Sequence, residues 1–541
     1  MLRHVYDKVP VATRSVTVFD AAAVIAAFWT LRIAIRVARR TFKTTRLRGP
    51  PRKSLIFGAS KDLLKSSDAG SIYEGWAKEY GPVYEVPTTL GGNKIVLCDP
   101  KSIAHYYSRE TWTYVLLPST TRFIKNNLGR GILWAQGETH KRQRKSLTPA
   151  FSHAAIRDLI PIFYSSAYKA KDAWESLIDT NRSDSTIIEV QNWLDTIGLA
   201  GFSHDFGSLD GKPASVTKIF DAFSSSNRSA IHVGLFLLTQ VFPVLSYVPT
   251  PRKRLMEEMQ DIIENISKTL LERTRTEKEQ GVLDGKKEKS VIGVLIKAND
   301  TDTAELHLTR EEVLAQMKVL LFAGYETTSI SLTWALLELA RNPNIQSKLR
   351  KELIAFGVDP TYDQLNNSLP YLDAVVHETL RLHPPLPEFT RVAIKDDVIP
   401  VSESVRTKSG DFVDSIAIAR GTQITIPIAC INRSTAIWGT NAKLFLPERW
   451  LEEGAIPKEA QEVQGYRHLL TFADGPRTCL GKGFAVAEFK IVLSVLVKSF
   501  IFEMRDGPDT QVGMGRGMLP RPKVAGEEGT RMPLRVSRYD Q

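Results

Sequence analysis

The chain alternates between long stretches of helical periodicity and a few short β-prone runs. The clearest helix opens at Thr309-Arg-Glu-Glu312, a capping box, and meets no proline until Asn342-Pro343; that span predicts one helix of roughly 30 residues. Its apolar content suits a membrane span, but Lys318 and Glu326 argue for a path through a protein core. A second apolar run, Phe484 to Phe500, predicts a buried helix, and Leu372, Val375, Val376 and Leu380 fall at the spacing of a third, ended by Pro384-Pro385. Ile156 to Leu271 reads as successive amphipathic helices, punctuated near Gly207 and at Val248-Pro-Thr-Pro251, and its run Leu235 to Leu238 suits a pocket lining or a plain core helix equally. Arg273 to Ser290 is charged, lacks apolar periodicity and contains Gly281 and Gly285, so it reads as an exposed connector. Strands are expected at Val83 to Val86 and Ile95 to Cys98, as a hairpin about Gly91-Gly92, and in the β-prone region from Glu388 to Val392 and Thr422 to Ile428. The pattern predicts a mainly α protein with a long central helix and a small β region.

The N-terminus departs from this pattern. Val16 to Val37 is mostly apolar, yet Asp20, Arg32 and Arg36 interrupt it, and its charge-free core, Ala21 to Leu31, is 11 residues long, against about 20 for a clean span. The flank decides for a membrane anchor: Arg32, Arg36, Arg39, Arg40, Lys43, Arg46, Arg48, Arg52 and Lys53 follow, and such residues stay on the cytoplasmic side. A surface-lying amphipathic helix and a mitochondrial targeting segment are the competing readings. Leu47-Arg-Gly49-Pro50-Pro51 breaks any helix there. Residues 1–48 are therefore expected to be anchor and basic flank, and 49–541 the catalytic domain.

Composition narrows the class. The 541 residues are 43% hydrophobic and 24% charged, ordinary for a globular enzyme. The net charge of +11 suits an anionic membrane or an acidic partner; nucleic acid ranks last, because no long basic run with interleaved aromatics occurs in the body of the chain. The three cysteines, Cys98, Cys430 and Cys479, show no close pairing in sequence, so no disulfide framework is indicated and a reducing compartment is expected.

Cys479 carries the chemistry. It sits in Phe472-Ala-Asp-Gly475-Pro-Arg477-Thr-Cys479-Leu-Gly481, just before a helix. Glycines let the backbone curl round a sulfur, while a helix N-terminus and an arginine favour the thiolate. A phosphate loop is excluded, since five residues separate Gly475 from Gly481 and Lys482 is followed by Gly483. A nucleophilic cysteine would want a histidine and an orienting group, which sequence neither places nor excludes.

The order Phe-x-x-Gly-x-Arg-x-Cys-x-Gly resembles the haem-binding loop of the cytochrome P450 family, in which cysteine is the axial iron ligand. Three further motifs resemble that family in the same order. Gly137 to Lys145 matches its C helix, with Arg144 directed to a haem propionate and His140 where the family usually has tryptophan. Ala323-Gly324-Tyr-Glu326-Thr327-Thr328 matches the oxygen-activation motif of its central helix, which implies Ala323 and Gly324 over the haem, Glu326 as acid and Thr327 as hydroxyl. Glu378-Thr-Leu-Arg381, with Pro447-Glu448-Arg449-Trp450, matches its structural Glu-x-x-Arg brace. His377-Glu378 is not a zinc-protease motif, because Arg381 stands where its second histidine would fall. Arg391 lies where the family has a propionate-binding arginine, in a strand that lines the substrate pocket.

The resemblance implies a P450 fold holding haem b through Cys479, with Arg144, Arg391 and Arg477 neutralising its propionates, and Phe472 and Gly481 shaping the loop. It implies a monooxygenase acting on an apolar small molecule, terpenoid-like and in specialised metabolism, with O2 and electrons from a separate NADPH reductase. That partner would dock on the basic face bearing Lys141 and Lys145, with the protein in the endoplasmic reticulum membrane and its catalytic domain facing the cytosol. A haem-thiolate isomerase or dehydratase and a non-catalytic haem-binding protein are the alternatives. Gly513-x-Gly-x-Gly517 lacks the spacing of a dinucleotide fingerprint and reads as a loop, and Lys395 to Gly421, longer and more polar than the family motif requires, has no assigned role.

Overall fold

A computed structural model describes residues 42–181, 184–191, 250–280, 291–300, 305–516, 519–527 and 529–539, together with isolated positions outside these spans. The helices that position the site are α1 (Ala69–Tyr80), α2 (Pro100–Ser108), α3 (Gly137–Leu147), α4 (His153–Thr180), α5 (Pro251–Glu279), α6 (Val291–Asp300), α7 (Arg310–Arg341), α8 (Pro343–Phe356), α9 (Pro370–Leu382) and α10 (Lys482–Ser499). The strands are β1 (Val83–Pro87), β2 (Asn93–Leu97), β3 (Tyr114–Leu116), β4 (Ser185–Glu189), β5 (Phe389–Ala393), β6 (Asp397–Arg406), β7 (Phe412–Ile418), β8 (Gln423–Ile426), β9 (Phe500–Met504), β10 (Val512–Arg516), β11 (Pro520–Val524) and β12 (Pro533–Arg538).

Helix α7 is the axle of the fold. Its capping box forms as the sequence predicts: the Glu312 N–H donates to Thr309 Oγ1 at 3.2 Å and the Thr309 N–H donates to Glu312 Oε2 at 3.0 Å. It packs against α5, α9, α10 and β9, which bury its own apolar residues, among them Leu332, Leu336, Leu337 and Leu339. Helix α10 is buried on nearly every side from Phe484 to Val497 and joins α4, α8 and α9 in the same core. Among the described residues, the sheets β1-β2-β8-β5-β3 and β4-β12-β9 and the β10-β11 and β6-β7 pairs all add apolar residues to this core.

Two readings need correction. Helix α5 continues through Glu279, so residues 273–279 are helical rather than connector; no glycine or proline interrupts the chain before Gly281, and a polar surface helix needs no more than one packed face. Residues 513–516 are not loop but part of β10, paired antiparallel with β11, and at Gly515 a side chain would collide with Thr530. The polar stretch from Lys395 to Gly421 proves to hold the β6-β7 hairpin, onto which the N-terminal segment is stitched: the Thr45 N–H donates to the Ala417 carbonyl at 3.0 Å and the Lys408 N–H to the Arg46 carbonyl at 2.9 Å. Cys98 and Cys430, distant in sequence, lie in one buried cluster as free thiols.

No helix among the described residues is long and apolar enough to cross a membrane. Most of Val16 to Val37, the expected anchor, and the Gly207 and Leu235 to Leu238 stretches lie outside those residues.

Candidate active site

The loop from Phe472 to Gly481 is built as its glycines require. Gly475 has φ +66°, and a Cβ there would strike the Tyr107 carbonyl at the end of α2. The Cys479 N–H donates to the Phe472 carbonyl at 2.8 Å and closes the loop, while Gly481 caps α10 and turns its N–H toward the sulfur. Cys479 is a free cysteine with exposed surface. Burial raises its thiol pKa, opposed by the Gly481 N–H and the charges of Arg144 and Lys482.

Around the loop the structure gathers all three predicted arginines. Arg144 donates to the Thr478 carbonyl at 2.7 Å. Arg477 donates to the Ala135 carbonyl, while its Nε is buried with no hydrogen-bond partner. Burial pushes its pKa down to about 10, Glu110 opposes that shift, and Arg391 and Arg144 add to it. Arg391 pairs with Glu110 at 2.8 Å. His140 is buried on the same face of α3 as Arg144; burial, with Arg477 and Arg144 nearby, lowers its pKa to about 3, so it is a neutral imidazole at pH 7. Three guanidiniums thus face one buried carboxylate, leaving an excess of two positive charges.

On α7, Ala323 and Gly324 are half-buried, and the Thr327 hydroxyl donates to the Ala323 carbonyl at 2.8 Å. Glu326, completely buried, turns elsewhere: its Oε1 accepts from the Leu519 N–H and from Nε and Nη2 of Arg521 on β11, each at 3.2 Å. The acid and the hydroxyl are neighbours in sequence but make separate contacts.

The brace is complete. Arg381 makes two hydrogen bonds to Glu378, at 2.8 and 2.7 Å, with both side chains fully buried. Trp450 Nε1 and the Leu446 N–H also donate to Glu378, and Arg381 reaches the carbonyls of Asn432, Ala442 and Leu444. With every lone pair and proton engaged, the buried pair is tolerated and ties α9 to the segment leading into the Cys479 loop. Lys145 is ion-paired with Glu305.

The sequence reading missed three functional neighbours. Glu110 and Arg521 carry no local signal, because each is defined by a partner nearly 200 residues away or more. Glu488 did carry one, being an acid inside the apolar run of α10. It is 1% exposed, neither oxygen has a well-formed hydrogen bond, and burial raises its pKa to about 8, opposed only by the Thr328 hydroxyl.

A glycine loop presenting one cysteine among three arginines, together with a helix that carries small residues and a hydroxyl, is the residue set of a haem-thiolate protein. The chain belongs to the cytochrome P450 family, whose model matches residues 48–525. It is 53% identical to cytochrome P450 monooxygenase claP of Ampulloclitocybe clavipes, over 95% of this chain and 96% of that protein. It is 51% identical to claW of the same fungus, over 97% and 99%, and 34% identical to cytochrome P450 monooxygenase 128 of Postia placenta, over 91% and 92%. It is a cytochrome P450 monooxygenase.

The residues fit the haem that the family implies. The orphaned Arg477 Nε, the unpacked Cys479 sulfur and the two uncompensated positive charges suit a group with one axial site and two propionates. Bound there, haem supplies the iron chemistry that activates O2. The chain's own part would be to oppose the burial-driven rise in the Cys479 pKa through the Gly481 N–H and the charges of Arg144 and Lys482, and to hold the carboxylates with Arg144, Arg391 and Arg477.

Proposed function

We propose that this monooxygenase oxidises an apolar, terpenoid-like small molecule in specialised metabolism, drawing electrons from a separate NADPH reductase while anchored to the endoplasmic reticulum membrane by its first 48 residues. The observation that carries the reading is the Cys479 loop with Arg144, Arg391 and Arg477 gathered around it, taken together with the small residues Ala323 and Gly324 and the Thr327 hydroxyl on α7. Thr327 supports proton delivery: its hydroxyl lies against a main-chain carbonyl within the motif and is free to rotate toward a ligand. Glu326, buried and hydrogen-bonded to Arg521, is the acid next to that hydroxyl in the chain. Lys141 and Lys145 on α3 offer the reductase a basic face, with Lys145 exchanging Glu305 for an acid of the partner. Several relatives of near-equal identity within one fungus, such as claP and claW, support a role among diversified enzymes of specialised metabolism.

Coexpression with an NADPH reductase in a host fed apolar scaffolds, with products read by mass spectrometry, tests this. Oxygenated product is expected only with the reductase. Product formed equally without it would transfer the reading to an isomerase or dehydratase.

A further inference from the structure

Where the N-terminal segment meets the β6-β7 hairpin there is a cleft of about 680 Å³, lined on one side by Arg48 to Arg52 and on the other by Arg406 to Gly410. Four cations line it, Arg48, Arg52, Arg406 and Lys408, against a single carboxylate, Glu85. That carboxylate is already engaged by Asn93 Nδ2 at 2.6 Å. Arg52 donates to four neutral groups, the carbonyls of Thr88 at 3.2 Å, Gly91 at 3.2 Å and Gly92 at 2.8 Å and the Asn93 side-chain oxygen, none of which offsets its charge. Arg48 stacks over the Tyr80 ring at 5.8 Å, and Arg406 and Lys408 are exposed and form no ion pair among the described residues. The nearby Asp411 accepts from the Ser409 hydroxyl at 2.6 Å.

The rim is apolar. Phe412, directly after the hairpin tip, is 70% exposed, and Leu55, whose carbonyl accepts from the Gly91 N–H, is 71% exposed. Exposed apolar side chains beside an uncompensated basic cleft are what an interfacial surface needs: the former enter the acyl boundary, and the latter meet phosphates. The cleft is also built from the end of the basic flank, Arg48 and Arg52, which follows the proposed anchor.

We propose that this cleft binds the phosphate of an anionic phospholipid headgroup and so sets the tilt of the catalytic domain on the membrane. The proposal gives the hairpin within Lys395 to Gly421 a role, and it rests on the membrane anchoring proposed above.

The test uses the full haem-loaded chain in phosphatidylcholine nanodiscs containing spin-labelled phosphatidic acid or spin-labelled phosphatidylcholine. The immobilised fraction is expected to favour phosphatidic acid. The double variant Arg406→Gln, Lys408→Gln should lower that preference about fivefold for each cation removed, while Lys458→Gln on a remote surface leaves it unchanged. An unaltered carbon monoxide difference spectrum confirms that the variants are folded. Equal immobilisation of the two lipids, or a preference that survives the double variant, overturns the proposal. So does displacement of the labelled lipid by millimolar inorganic phosphate, which would make a soluble anion the occupant. Failure of the chain to enter phosphatidylcholine discs would sink the anchoring as well, whereas entry without lipid preference sinks this proposal alone.

Discussion

Glu488 should make this protein lose stability as pH rises through the neutral range. Its carboxyl is buried on α10 against α7, and its pKa is raised from an ordinary 4.5 to about 8 by desolvation. Between those values the folded chain keeps a proton that the unfolded chain has released. The stability contribution is therefore fully present below pH 4.5 and is lost as pH climbs to 8. Each pH unit in that window costs about 1.4 kcal/mol, or about 5 kcal/mol across it. With an unfolding entropy of about 2.1 cal/mol/K per residue, a chain of this length shifts its midpoint by about 1 °C per kcal/mol, so the full effect is about 4 °C. Glu488→Gln keeps the shape and cannot ionise. Its thermal midpoint, followed by loss of the Soret band, should match the parent within about 1 °C at pH 5 and exceed it by about 4 °C at pH 9. A difference between the two proteins that is the same at both pH values would refute the reasoning, because it would show that the carboxyl does not titrate within the core.

Three other outcomes follow from the geometry. Cys479→Ala should abolish the long-wavelength Soret peak of the reduced, carbon monoxide-treated protein and all turnover, as read by difference spectroscopy and product analysis. Arg381→Ala removes both charge-assisted hydrogen bonds from the fully buried Glu378, leaving Arg449 at 3.6 Å, and should cost about 3 kcal/mol, seen as a lower denaturation midpoint and poor haem retention. Arg521→Gln removes the cation from the buried Glu326 and should destabilise by a similar amount, about 3–5 kcal/mol in chemical denaturation, without altering the carbon monoxide spectrum of the molecules that remain folded.

Local patterns determined much of this molecule. The capping box at Thr309 fixed where α7 starts, because its two reciprocal hydrogen bonds involve residues three apart. The Cys479 loop was legible for the same reason: Gly475, Arg477 and Gly481 act on a sulfur at most four residues away. Helical spacing placed Glu378 and Arg381 on one face of α9 and paired them correctly. What periodicity alone misjudged were segments whose state is set by a neighbour, such as β10, which reads as a glycine loop until β11 supplies its hydrogen bonds.

Charge partnership lay beyond the sequence. Glu326 adjoins Thr327 in the chain, but only the fold brings Arg521 to it, and the same holds for Glu110 with Arg391 and for the thiols of Cys98 and Cys430. The sequence by itself determined the helices, the haem-binding loop and the family to which it belongs. The tertiary structure decided which buried charges are compensated and which, like Glu488, are not. Coulomb energy and desolvation depend on distance through space and on exclusion of water, and neither is encoded in separation along the chain.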